Sequence, residues 1–339
     1  MLNGLRGKEI FMGPLRLGLQ IFAVFLAILG FVSKGETRRV NVSIPTRGMP
    51  VIAFAAGVEK GYYREEGLDV QLILMSAGVG TRALIGGDVH FAATGGAGVP
   101  PILSGAPLRF VFTTFNRPMF WLISKPDIRE VKGLKGKRVG VSNIGSGPDS
   151  LLRELLRRNG LEGGRDVVIL ALGLQANIYA GLVSGTVDAA MLAPPFNFMV
   201  EEAGFRELVS FIEQDFVELQ GAIVLREGLL QSDPALVESF IRGTLKGFRY
   251  ARDNRSGTLP ILASYLKIGK ELAAKIYDAV RPAMTLDGTV TEELQKKALE
   301  HVLKRMGLRE SPSLERIFNY ALARRIRAEL DAEGWRPGP

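Results

Sequence analysis

From residue 40 to about residue 225 the chain alternates short runs of β-branched and apolar residues with stretches of helical periodicity, and this constrains it to an α/β fold. Val40–Ile44 reads as a strand, Val51–Lys60 as a helix, Val70–Leu74 as a strand, Gly80–Ile85 as a helix, and Val89–Ala93, Leu108–Thr114 and Trp121–Ser124 as strands. A polar stretch, Lys125–Lys137, then interrupts the series as a segment crossing between two lobes would. Arg138–Val141, Asp149–Asn159, Val167–Leu172, Ala176–Val183 and Val187–Leu192 resume it, and Leu219–Leu225 is again extended. From Asp233 to Trp335 the pattern is almost wholly helical, entered through Asp233 as a cap and Pro234 in the first turn.

Within this alternation one segment echoes another. Ala83–Ala92 (ALIGGDVHFA) and Gly181–Ala190 (GLVSGTVDAA) share a helix end, a glycine at Gly87 or Gly185, and a strand of small and apolar residues. Either two similar lobes face each other across a cleft, or two βαβ units have converged on one pattern.

The ends and the charge narrow the function classes. Basic residues ending at Arg16 precede an apolar run, Leu17–Val32, which is short for a membrane span and suits the core of an export signal. Residues 1–35 are therefore expected to be a signal peptide, or an uncleaved N-terminal anchor, and the protein to be periplasmic or otherwise extracytoplasmic. The 339 residues contain no cysteine, which excludes thiolate nucleophiles, cysteine metal sites, disulfides and a lipoprotein anchor. The net charge of +8 arises partly in the first 35 residues and otherwise from lysines and arginines interleaved with acids, as in Thr291–Lys304, so no nucleic-acid partner is expected.

Chemistry is concentrated in loops at strand ends. In Val141–Ser150 (VSNIGSGPDS), Ser142, Asn143, Gly145, Ser146 and Gly147 precede a helix with Pro148 at its start, a place where free N–H groups and small polar side chains meet a ligand. It is neither a Walker loop nor a dinucleotide fingerprint. Opposite it stand Thr46, Arg47, Gly48 and Met49, then Ser76, Ala77 and Gly78, then Gly95 and Gly96, with Asn116, Pro195 and Phe196 as rims. Arg47 is equally readable as the partner of an anionic solute or as a surface arginine. His90, His301, Asp149 and Asp188 read as structural or capping residues, so neither a catalytic set nor a cofactor or metal is expected.

The phrase GMPVIAFAAGVEKGYYREEGLDVQLI, with LKGKRVGVSNIGSGPD and LVSGTVDAAMLAPPF, resembles binding proteins of ABC importers for nitrate, taurine, alkanesulfonates and thiamine-precursor pyrimidines, over about residues 40–255. The resemblance implies a two-lobed periplasmic-binding-protein fold of type II, each lobe a sheet flanked by helices and joined by two crossings. The expected partition is residues 36–125 plus 222–339 for lobe 1 and 126–221 for lobe 2. It also implies delivery of a small-molecule solute to a membrane permease by a monomer. The pocket it implies comprises Thr46–Met49, Ser76–Gly80, Gly95–Gly96, Asn116, Ser142–Ser146, Gln175–Asn177 and Pro195–Phe196. The iron motif of fungal relatives is absent, and an enzyme or a sensor on the same scaffold are the other readings. Between an anion and a polar heterocycle such as a pyrimidine the sequence leaves the solute open.

Overall fold

The computed structural model describes residues 37–338, so the expected signal at residues 1–35 lies outside the described residues. Ten strands follow in chain order: β1 (Arg38–Ile44), β2 (Leu68–Leu74), β3 (Phe91–Ala92), β4 (Leu108–Phe115), β5 (Trp121–Ser124), β6 (Arg138–Val141), β7 (Val168–Ala171), β8 (Ala189–Leu192), β9 (Arg206–Ser210) and β10 (Gln220–Arg226). They form two five-stranded sheets, ordered β2-β1-β3-β10-β4 and β7-β6-β8-β5-β9.

The two sheets are built alike. Each begins with three parallel strands, β1 flanked by β2 and β3 in one and β6 flanked by β7 and β8 in the other. Each then takes an antiparallel fourth strand, β10 or β5, on which the fifth strand pairs. The fourth strand is the exchanged one: β10 returns to the first sheet after the whole second sheet, and β5 enters the second directly after β4. The echoed segments occupy matching positions, each closing a helix (Ala77–Gly86 or Gln175–Val183) and entering a strand (β3 or β8). The turn glycines Gly87 and Gly185 both take left-handed φ, 92° and 78°.

Because β5 pairs with β8 and β9, the chain first crosses between the lobes at residues 116–120. Lys125–Lys137, expected to be that crossing, is instead a loop with a 3-10 turn (Val131–Leu134) inside the second lobe, and residues 121–124 belong to the second sheet, not to a first lobe ending at 125. Glycines and charges mark an exposed connection without saying what it connects. The return crossing runs through residues 211–219.

The first sheet is built on β1, whose Val40, Val42, Ser43 and Ile44 are buried while Arg38 and Arg39 at its start are exposed. The long helix Pro234–Asp253 packs on that sheet through Phe240, whose ring stacks on Phe91 at 3.8 Å between centroids and on Tyr63 at 5.5 Å. β4, although last in its sheet, is buried at every residue, because residues 317–320 cover its edge: Asn319 N–H donates to the Phe110 carbonyl at 2.7 Å, and the Tyr320 and Thr113 hydroxyls lie 2.8 Å apart. Among the described residues, no helix is long and apolar enough to cross a membrane.

Candidate functional site

The parallel strands of both sheets end at one cavity of about 860 Å³. It opens outside the carboxyl ends of β1, β2, β3, β6 and β8, where α/β sheets place ligands. The two crossings line it through Met119, Phe120 and residues 215–219, and the start of β10 through Gln220 and Gly221.

Of the residues expected from the sequence, Thr46, Gly48 and Met49 line this cavity from the loop after β1, Ser76 and Ala77 from the loop after β2, and Gly95 and Gly96 from the loop after β3. From the second lobe come Ser142, Gly145, Ser146 and Gln175. The others are directed elsewhere. Arg47 is exposed, with its guanidinium 5.9 Å from the centroid of the Tyr265 ring; there the charge stays hydrated and gains a cation–π contact, which a dry cavity wall would deny it. Gly78 is on the exposed face of the Ala77–Gly86 helix. Asn116 braces the crossing through its backbone, donating to the Ala283 carbonyl at 3.1 Å. Asn177 turns back to cap its own loop, Nδ2 donating to the Leu172 carbonyl at 3.2 Å. Pro195 caps the helix Phe196–Glu202 and Phe196 packs on Tyr179 at 5.5 Å, so the wall after β8 is made by Ala193 and Pro194 instead.

The loop after β6 is shaped by its own hydrogen bonds. Ser146 Oγ donates to the Asn143 carbonyl at 2.6 Å, and Ser142 Oγ donates to Ser146 Oγ at 3.1 Å. The buried Asp149 accepts from Gly145 N–H at 2.7 Å and from Arg153 at 2.9 Å. With Ser146 so engaged, no side-chain hydrogen bond caps the helix Gly147–Arg158, whose start faces the cavity. Gln175 ties the neighbouring loop down, its Oε1 accepting from Ala193 N–H at 2.9 Å.

Glu218, on the return crossing, and Gln220, at the start of β10, escaped the sequence reading. Gln220 Nε2 donates to one Glu218 carboxylate oxygen at 2.9 Å, and Gly96 N–H donates to the Leu219 carbonyl at 2.9 Å. Burial pushes the Glu218 carboxyl up to about 7, against the lowering effect of the Gln220 hydrogen bond. A lone acid ahead of a strand has no period to betray it; the one available signal was its position, just before the residues that re-enter the first sheet. Thr94, also on the cavity wall, is buried with its hydroxyl unpartnered among the described residues.

Other charges sit at the rim and are largely spent on one another. Glu154 accepts from both Arg157 and Arg158, and Lys297 lies 3.2 Å from Glu293 and 3.8 Å from Asp215. Asp188 is outside the cavity: against the burial that would raise it, hydrogen bonds from Arg138 and Lys125 hold its carboxyl well below the usual range. His90 Nδ1 accepts from Asn41 N–H at 3.1 Å, a role within the sheet. Among the described residues no group of three or more His, Asp or Glu side chains is placed to hold a metal ion.

Residues 50–256 match the sequence model of the family described as NMT1/THI5 like. No curated protein is matched at a significant level. Among solved structures, a periplasmic sulfonate-binding protein, SsuA, from Methylobacillus flagellatus is similar at 19% identity and TM-score 0.69, over 89% of this chain and 98% of that one. The aliphatic sulphonate-binding protein SsuA from Escherichia coli is similar at 20% identity and TM-score 0.64, over 83% and 91%. The desulfurization enzyme DSZB is similar at 17% identity and TM-score 0.68, over 86% and 99%. These likenesses show the fold, that of periplasmic binding proteins with two mixed sheets flanked by helices.

Proposed function

The chain belongs to the NMT1/THI5-like family, and on that premise we propose that it is the solute-binding component of an ABC importer. It is exported by its N-terminal signal, captures a small organic solute between its lobes as a monomer, and presents the closed form to a permease. The observation that supports this most is the cavity of about 860 Å³ at matching strand ends of two like-built sheets between which the chain crosses twice. Such a joint lets the lobes close on a solute, and the volume suits a small organic molecule. Sulfonates, named for two structural neighbours, are one class to test, and pyrimidines and other polar heterocycles another.

Thermal melts against sulfonates, nitrate, carboxylates, pyrimidines and aromatic acids test the proposal. A solute at a hundred times its dissociation constant stabilises by about 2.7 kcal/mol. A hit recovered chemically unchanged upholds the receptor, and no shift across the panel counts against it. A second reading, an enzyme on this scaffold, draws on the Glu218 carboxyl near neutrality inside the cavity, the range in which a general base works. A hit that is consumed would establish that reading instead.

A further inference from the structure

Side-chain polar atoms buried without a partner are few in folded proteins, and each calls for an explanation. Of the six such atoms among the described residues, four belong to one seam of the second lobe, away from the cavity. Asn197 is fully buried, and neither its Oδ1 nor its Nδ2 has a hydrogen-bond partner. Glu201 Oε1 and Ser210 Oγ are buried and unpartnered as well.

Sheet and helix together make the seam. Ser210 and Glu207 of β9 pair with Trp121 and Ile123 of β5, and antiparallel partners point to one face. The helix Phe196–Glu202 covers that face: the Phe198 ring lies 5.8 Å from the Trp121 ring, over the rung that carries Ser210. Residues 203–205 turn the chain directly from the helix into β9, with Phe205 N–H donating to the Val200 carbonyl at 3.1 Å, so the last turn of the helix meets the first residues of the strand. There the Glu201 and Glu207 carboxyls come within hydrogen-bonding reach of each other. Asn197, four residues before Glu201, shares its helix face one turn nearer to Ser210.

The groups of the seam do not satisfy one another. Two ionised carboxyls that meet repel, and the charge of Glu213 adds to the repulsion at Glu207. Among the described residues neither Glu201 nor Glu207 forms a salt bridge, and the neighbouring Lys275 is held by Glu202 at 3.2 Å. A proton shared between the carboxyls would ease the repulsion, yet it would leave the amide and the hydroxyl as they are. A cation answers all of them at once. The oxygens are two carboxylates, an amide and a hydroxyl, with no nitrogen or sulfur ligand, and such a set suits a hard cation that accepts neutral oxygens. Glu207, exposed at the outer end of the seam, gives that ion a way in.

We infer that Asn197, Glu201, Glu207 and Ser210 form a calcium-type cation site that fastens the helix Phe196–Glu202 to β9. The site is separate from the cleft and does not depend on what the cleft binds.

Calcium titration of the full chain, stripped of metal with EDTA, tests this by calorimetry and by melting at about pH 8. The expected result is one calcium per chain, with a dissociation constant on the order of 10⁻⁴–10⁻³ M, as for extracellular modules, and a melting temperature raised by a few degrees at about ten times that concentration. Glu207→Gln and Asn197→Leu should each weaken calcium by about tenfold or more, whereas Asn197→Asp, which keeps the oxygen, should not. Glu202→Gln, outside the seam, should leave calcium binding unchanged. In EDTA, Glu207→Gln should melt above the parent, because one of two facing charges is gone, and calcium should close that gap by stabilising the parent alone. A merely structural role for Glu207 and Asn197 produces no such calcium-dependent difference, and melts in EDTA report that each variant is folded. Neither heat nor a melting shift with about 10 mM calcium overturns the inference and leaves the seam to water or a shared proton. Calcium bound equally by the parent, Glu207→Gln and Asn197→Leu is adventitious binding to surface acids, and overturns it too.

Discussion

At Gly221 the backbone takes a φ of +57° as the return crossing becomes β10, and a Cβ there would stand 2.0 Å from both the Pro50 carbonyl oxygen and Thr114 Oγ1. Thr114 donates in this crowded corner to Pro50 or Gln220, so neither neighbour can withdraw without breaking the corner. Gly221→Ala should destabilise the protein by about 3 kcal/mol or more, read as a lower urea midpoint at unchanged slope; an unchanged midpoint would mean the corner relaxes freely. Arg47→Ala should change solute affinity by less than about twofold, with a stability loss on the order of 0.5–1 kcal/mol from the Tyr265 contact. A tenfold loss of affinity would return Arg47 to the site. These two residues show where sequence reading stops. The loop holding Arg47 was legible from its position after a strand, but the side chain's direction is decided by Tyr265, more than two hundred residues along the chain. Glu218 was illegible for the converse reason: its setting is made by Gly147 and Gln220 from opposite sides of a cleft that exists only once both sheets are formed.

Elements with strong local signals were read well, and those defined by their neighbours were not. The helix Pro234–Asp253 begins where Asp233 and Pro234 announce it, with Asp233 Oδ1 accepting from Leu236 N–H at 3.1 Å. Asp233→Ala should cost about 1 kcal/mol, visible as a lower melting temperature. By contrast β9 (Arg206–Ser210), an edge strand of mixed charge with a bulge opposite β5, lacks alternation and so carries no local signal of a strand. That strand carries Glu207, whose carboxyl is pushed up to about 7 by burial first and then by the nearby Glu201 and Glu213 charges. A carboxyl raised in the folded state stabilises below its unfolded pKa of about 4.5, and that contribution is lost as pH rises through about 7. Glu207→Gln should therefore raise the melting temperature at about pH 8 relative to the parent and leave it little changed at about pH 4. Melts of both proteins across that range check it, and parallel curves would show that the carboxyl does not report on folding.

Across the whole molecule, the echo between residues 83–92 and 181–190 was the sign that mattered, because it falls at corresponding places in two sheets of the same design. Alternation made the fold class readable; the true crossings were not, since a strand's sheet is chosen by partners far away in sequence. If the lobes close as proposed, X-ray scattering should show a smaller radius of gyration with a stabilising solute than without it, and identical profiles would argue for a preformed closed state. The exchanged strands bear on how the molecule comes into being. Residues 121–210 contain every strand of the second sheet in one unbroken stretch, whereas β3 and β4 of the first are separated by a strand's width that only residues 220–226 fill. A chain emerging from its N-terminus can therefore finish its second half before its first, and until β10 arrives two facing strand edges wait unpaired. Any machinery that holds the newborn chain open must hold it from the end of β4 to the start of β10, roughly a hundred residues, so the order of assembly can reverse the order of synthesis.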